Sequence, residues 1–114
     1  MALQGTYREE GDVVIVDFSG KITLGEGSSL LRRTIRELID SGHRKILLNL
    51  YDVDYIDSSG IGELVSGFTT VRGVSGEMKL LNLTKRVKDL LQITRLYTVF
   101  DVRMDEDDAI RSFL

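Results

Sequence analysis

The apolar positions of the chain fall alternately into short β-branched runs and helical stripes. Val13-Val14-Ile15-Val16 is rich in the residue types that suit a half-buried pleated surface. The pattern predicts two strands, Thr6 to Glu10 and Val13 to Ser19, joined by a tight turn at Gly11-Asp12. Gly20 is expected to end the second strand, with Gly25 and Gly27 making the next stretch a loop. Ser28 or Ser29 then caps a helix to about Ser41, whose positions Leu31, Ile35, Leu38 and Ile39 recur at helical spacing. Gly42 closes it. Lys45 to Leu50 is almost continuously apolar, as expected of a strand deep in a sheet.

A loop of alternating carboxylates and hydrophobes follows, and a second helix is expected from near Ser59. Its buried stripe is Ile61, Leu64, Val65, Phe68 and Val71. Gly73 and Gly76 lead into a strand over Glu77 to Leu83, and Thr84 caps a third helix with Val87, Leu90 and Leu91 inward. Val99 to Arg103 reads as a last strand, and Asp105 caps a terminal helix through Asp108, Ile110 and Phe113. The order is therefore β-β-α-β-α-β-α-β-α. Helical crossovers between strands imply parallel pairing, while the opening hairpin makes the sheet mixed. This is an α/β fold with about four helices, in a single domain over residues 1–114.

Composition narrows the chemistry. The longest apolar run is the four residues Val13 to Val16, far short of the roughly 20 that cross a bilayer, and no signal peptide is visible. The expectation is a cytoplasmic protein without membrane contact. Cysteine is absent, which removes disulfides, thiolate metal sites and cysteine nucleophiles together, and His43 is the sole histidine. A net charge of −3 argues against direct nucleic-acid binding, which relies on a basic surface for phosphate contacts. Gly25-Glu26-Gly27 lacks the Lys-Ser/Thr of a phosphate-binding loop, and no cofactor motif appears. Partners are expected to be proteins or a small ligand.

The stretch Asn49 to Gly62, NLYDVDYIDSSGIG, joins the end of the most buried strand to a helix start. In open α/β sheets that is where ligands and chemistry usually sit. The ordinary explanation of Asp57, Ser58, Ser59 and Gly60 is a helix cap and a tight turn. Asp52, Asp54 and Asp57 are of a type that holds Mg2+, so a metal-dependent phosphotransferase is a conceivable class, but solvated loop carboxylates are the preferred reading. Arg32, Arg33 and Arg36 form a basic helical face, and Tyr51 and Tyr55 are read as core or rim aromatics.

Leu47 to Gly62, LLNLYDVDYIDSSGIG, resembles the signature of STAS-domain anti-sigma factor antagonists. The likeness extends to the opening hairpin, Gly20, Gly76-Glu77-Met78 and Val87-Lys88-Asp89-Leu90-Leu91. The resemblance implies a STAS-like fold and a phosphoacceptor at Ser58, with Ser59 as second choice and neighbouring cap. It implies no catalysis. The unphosphorylated chain would bind an anti-sigma factor that is also a serine kinase, freeing a sigma factor, and a PP2C-type phosphatase would reset the switch. The partner surface is expected at Asp57, Ser58, Ser59, Gly60, Gly62, Glu63, Ser66 and Thr23. Gly67 lies with them off the stripe of the second helix, where small residues admit either a partner's surface or a neighbouring helix. Gly20-Lys21-Ile22-Thr23 departs from the acidic residue that many antagonists carry here, which bears on which partner is bound. The alternative is a STAS scaffold or sensor in an assembly that does not act on a sigma factor. A monomer or weak dimer is expected.

Overall fold

A computed structural model describes residues 2–113. Five strands form one sheet in the order β1-β2-β3-β4-β5: β1 (Gln4–Glu10), β2 (Val13–Ile22), β3 (Lys45–Ile56), β4 (Glu77–Leu81) and β5 (Val102–Arg103). β1 runs antiparallel to β2, and every other neighbouring pair is parallel. The helices are α1 (Glu26–Asp40), α2 (Ser58–Gly73), α3 (Lys85–Ile93) and α4 (Glu106–Arg111). The mixed α/β architecture inferred from periodicity is the observed one.

Alternation along the strands divides the core in two. Val14, Val16 and Phe18 of β2, Ile46 and Leu48 of β3, and Met78 and Leu80 of β4 meet the apolar stripes of α1, α2 and α3. The intervening Val13, Ile15, Leu47 and Leu81 face the other way, where Ala109 and Phe113 cover them. That second face is apolar only in part, with Lys79 of β4 on it opposite Leu47. Beyond it the strands present Asp17 and Asn49, and Asn49 Nδ2 donates to Asp17 Oδ1 at 2.8 Å. Arg8 of β1 reaches over this polar stretch to Asp17 and to Glu106 of α4.

Several boundaries differ from those read off the sequence. Gly20 does not end β2 but sits inside it at φ 109°, beside a register shift. A side chain there would strike the Ala2 carbonyl, so the chain's start, crossing close by, requires glycine. β3 runs on to Ile56, well past Leu50. Ser19, Gly20, Lys21 and Ile22 pair with Asp52, Val53, Tyr55 and Ile56, turning the expected carboxylate-rich loop into strand. α1 begins at Glu26 after Gly25, with no side-chain cap. Ser28 is instead buried, and its hydroxyl donates to the Thr23 carbonyl at 2.9 Å. β4 stops at Leu81, short of Leu83, because Asn82 takes a positive φ of 59°. Tyr97–Val99 forms a 3-10 turn, which confines β5 to two residues, and α4 stops at Arg111, short of Phe113. Thr84 and Asp105 cap α3 and α4 as expected, accepting from the Val87 and Asp108 amides.

Candidate functional site

The site lies where the parallel strands end and α2 begins. β3 closes on the fully buried Ile56, and the Asp57 amide extends the ladder by donating to the Ile22 carbonyl at 3.2 Å. Asp57 then leaves the strand in an extended conformation and caps α2. Its Oδ1 accepts the Gly60 N–H at 2.9 Å, while Oδ2 accepts the Leu24 N–H, also at 2.9 Å. One carboxylate therefore holds both the helix start and the loop after β2. The Thr23 carbonyl in that loop accepts from the Ser28 amide and hydroxyl, which ties α1 to the same point.

Asp57 is itself influenced by this setting. Burial works against its charged form, but the amides of Gly60, Leu24 and Ser59 outweigh that and hold its carboxyl below the ordinary value. It is a fixed anion. The cap expected of Ser59 is made by Asp57, because the side chain one residue before the helix reaches the third-residue amide.

Ser58 is the first residue of α2, and it is exposed. Among the described residues its hydroxyl makes no hydrogen bond, since the cap is already formed by its neighbour. Ser59 is half-buried. Gly62 and Ser66 follow on the exposed side of α2, and nothing lies within 4 Å of a side chain added at Gly62. Leu24, 79% exposed, belongs to the same surface. Sequence reasoning passed over it, although an apolar residue stranded in a glycine-bounded loop was a usable signal.

Three positions considered for that surface have another role. Gly60 is buried, and a methyl group there would strike the Ile22 carbonyl oxygen. Gly67 is buried too, where a side chain would strike Ile35 of α1. These two glycines let α2 approach the sheet and α1, rather than a partner approach α2. Glu63 is only 14% exposed and accepts from Arg32 Nε and Nη2 at 2.9 and 2.6 Å. It joins α2 to α1 and takes Arg32 out of the supposed free basic face. Asp52 and Asp54 point to solvent, with Lys21 Nζ 3.5 Å from Asp54 Oδ1. Among the described residues no three metal-ligating groups gather.

Comparison with known proteins gives consistent results. The sequence profile of the STAS domain matches residues 6–109. The anti-sigma-B factor antagonist of Bacillus subtilis (strain 168) is 30% identical over 104 residues, covering 91% of this chain and 93% of that one. An anti-sigma factor antagonist from Mycobacterium paratuberculosis superposes with a TM-score of 0.86 at 17% identity, over 98% of this chain and 94% of that one. The phosphorylated form of the Bacillus cell fate determinant SpoIIAA superposes with a TM-score of 0.72 at 21% identity, over 95% and 97% of the two chains.

Proposed function

The chain belongs to the STAS domain family, and we propose that it acts as an anti-sigma factor antagonist whose binding is switched off by phosphorylation at Ser58. The observation that carries this reading is the Ser58 hydroxyl: exposed, unbonded, and placed at a helix start whose cap is already made by Asp57. A kinase acting there would break no contact of the fold. The added phosphate brings about −1.5 to −2 charges and three strong acceptors. The N-terminal end of α2 tolerates that charge, so folding is preserved. A partner surface built against a small neutral hydroxyl would meet a bulky dianion beside the fixed carboxylate of Asp57, and release it.

In this scheme the unphosphorylated protein binds an anti-sigma factor that is also its serine kinase, and a sigma factor is freed. A PP2C-type phosphatase restores the binding form. The protein has no catalytic step of its own and works in the cytoplasm as a monomer or weak dimer. Ser58, Gly62, Ser66, Leu24 and the Thr23 loop form the contact surface. Asp57, Gly60 and Glu63 hold it in shape. Ser59 is the second acceptor in line.

Site mapping by mass spectrometry after incubation with anti-sigma kinases and ATP tests the proposal. Phosphate is expected on Ser58, with loss of the complex. S58D should lose at least about tenfold in affinity, about 1.4 kcal/mol, while keeping the wild-type melting temperature, and S58A should bind constitutively. Wild-type affinity in S58D overturns the switch.

A further inference from the structure

For a chain of net charge −3, one stretch of surface is conspicuously cationic. Lys21 of β2 pairs across the sheet with Tyr55 of β3, and Lys21 Nζ lies 5.6 Å from the centre of the Tyr55 ring. Arg86, in the first turn of α3, places its guanidinium carbon 5.0 Å from the same ring. Lys85 precedes it on α3, whereas Lys88 projects from the other flank of the helix, 5.8 Å from the Tyr97 ring. Two carboxylates answer Lys21, Lys85 and Arg86: Asp54 at 3.5 Å from Lys21, and Asp89 at 2.8 Å from Lys85. Arg86 forms no ion pair among the described residues.

This arrangement opposes the local electrostatics. The first turn of α3 holds no acidic residue, so Lys85 and Arg86 stand at the positive end of the helix dipole. They do not cap it either, since the Thr84 hydroxyl already accepts the Val87 amide. The dipole favours acids at these positions, and the chain has acids in the first turn of α4. Lys85 and Arg86 are exposed there, so both remain open to a partner.

We propose that Lys21, Tyr55 and Arg86, with Lys85, form a docking patch for an acidic segment of a protein partner. Its carboxylates pair with the guanidinium and ammonium groups, and the Tyr55 ring offers a flat apolar body. A polypeptide fits better than a nucleic acid. Asp54 and Asp89 interrupt the patch, and a continuous phosphate backbone would meet them where separately placed carboxylates need not. The proposal rests on the reading of Ser58 as the switch and gives it a second arm. Ser58 lies three positions after Tyr55, at most about 10 Å along the chain. That is comparable with the screening length of about 8 Å at physiological salt, so a Ser58 phosphate competes with the partner's carboxylates for the same cations.

The test is a titration of the 15N-labelled chain, unphosphorylated, with a short peptide of alternating Glu and Gly, the Gln-Gly peptide serving as blank. Shifts are expected at Lys21, Tyr55 and Arg86 and should vanish at high salt. R86E should weaken binding at least about tenfold. R33E, an equal charge change at an exposed position of α1, should not. Because a carboxylate suits the start of α3, R86E should melt no lower than the wild type, which separates lost binding from lost folding. Equal weakening by R33E and R86E, or shifts centred on Arg33 and Arg36, overturns the patch. Tighter binding there of a single-stranded oligonucleotide overturns the protein partner. The phosphorylation map of the wild-type chain is independent of this titration: Ser58 phosphate without peptide shifts sinks only the patch, and the reverse result sinks only the switch.

Discussion

Gly60 and Gly62 are two residues apart, yet their environments are opposite. A Cβ at Gly60 would lie inside contact distance of the Ile22 carbonyl oxygen, 2.6 Å from Ile56 Cγ1 and 2.8 Å from Ile22 Cγ2. The two side-chain atoms could give way, but the oxygen belongs to the backbone of β2 and accepts the Asp57 amide. G60A must therefore push α2 off the sheet or break that bond. Overpacking of this kind costs roughly 1–3 kcal/mol, against which the better helix propensity of Ala returns up to about 1 kcal/mol. Because the clashing oxygen is backbone and cannot swing away, the upper end of that cost applies, and a net loss near 2 kcal/mol follows, or about 6–10 °C in melting temperature for a domain of this size. G62A has the same composition, and nothing lies within 4 Å of its added methyl. It should gain about 0.5–1 kcal/mol. Urea unfolding followed by circular dichroism reads both, with midpoints moving in opposite directions at a constant slope. If G60A unfolds at the wild-type midpoint, or G62A falls as far as G60A, the assignment of Gly60 to packing and Gly62 to open surface is wrong.

Other expectations follow from the same geometry. D57A removes the acceptor of both the Gly60 and Leu24 amides and should cost about 1–2 kcal/mol, with faster hydrogen exchange in the Thr23–Gly25 loop as the local readout. Asp17, Asp57, Asp101 and Glu106 all have folded-state pKa values lowered below the unfolded ones. The unfolded chain thus binds more protons in the acid range. Their stabilisation is fully present above about pH 4–5 and disappears as pH falls through the depressed folded values, so the melting temperature should drop there, and by less in D57A. E106Q breaks the Arg8 bridge between β1 and α4 and should cost no more than about 1 kcal/mol, an effect that shrinks in high salt. Lys79, only 9% exposed, donates to the Ser112 carbonyl and hydroxyl and lies 3.2 Å from Asp101. K79M should cost about 1–3 kcal/mol in chemical unfolding by leaving those acceptors short of a donor.

The order of elements, the mixed sheet and the place of Ser58 where a strand gives way to the second helix were legible without a structure. Val13 to Val16, the stripe Leu31-Ile35-Leu38 and the capping residues Thr84 and Asp105 act over one or two turns or a single strand. Side-chain period and local capping carry information of this kind. Tertiary structure alone decided the rest. Nothing near Asp52 or Val53 in the chain says that Ser19 and Gly20, more than thirty residues earlier, will pair with them and make strand of an apparent loop. No local pattern shows that Gly60 and Gly67 are buried by Ile22 and Ile35, that Glu63 is bound to Arg32, or that Asp57 holds the Leu24 loop. Nor does local pattern gather Lys21, Tyr55 and Arg86 around one ring. Periodicity states which side of an element is buried, because that depends on the spacing of its own residues. What each side is buried against depends on the path of the whole chain, and that path exists only once the sheet has formed.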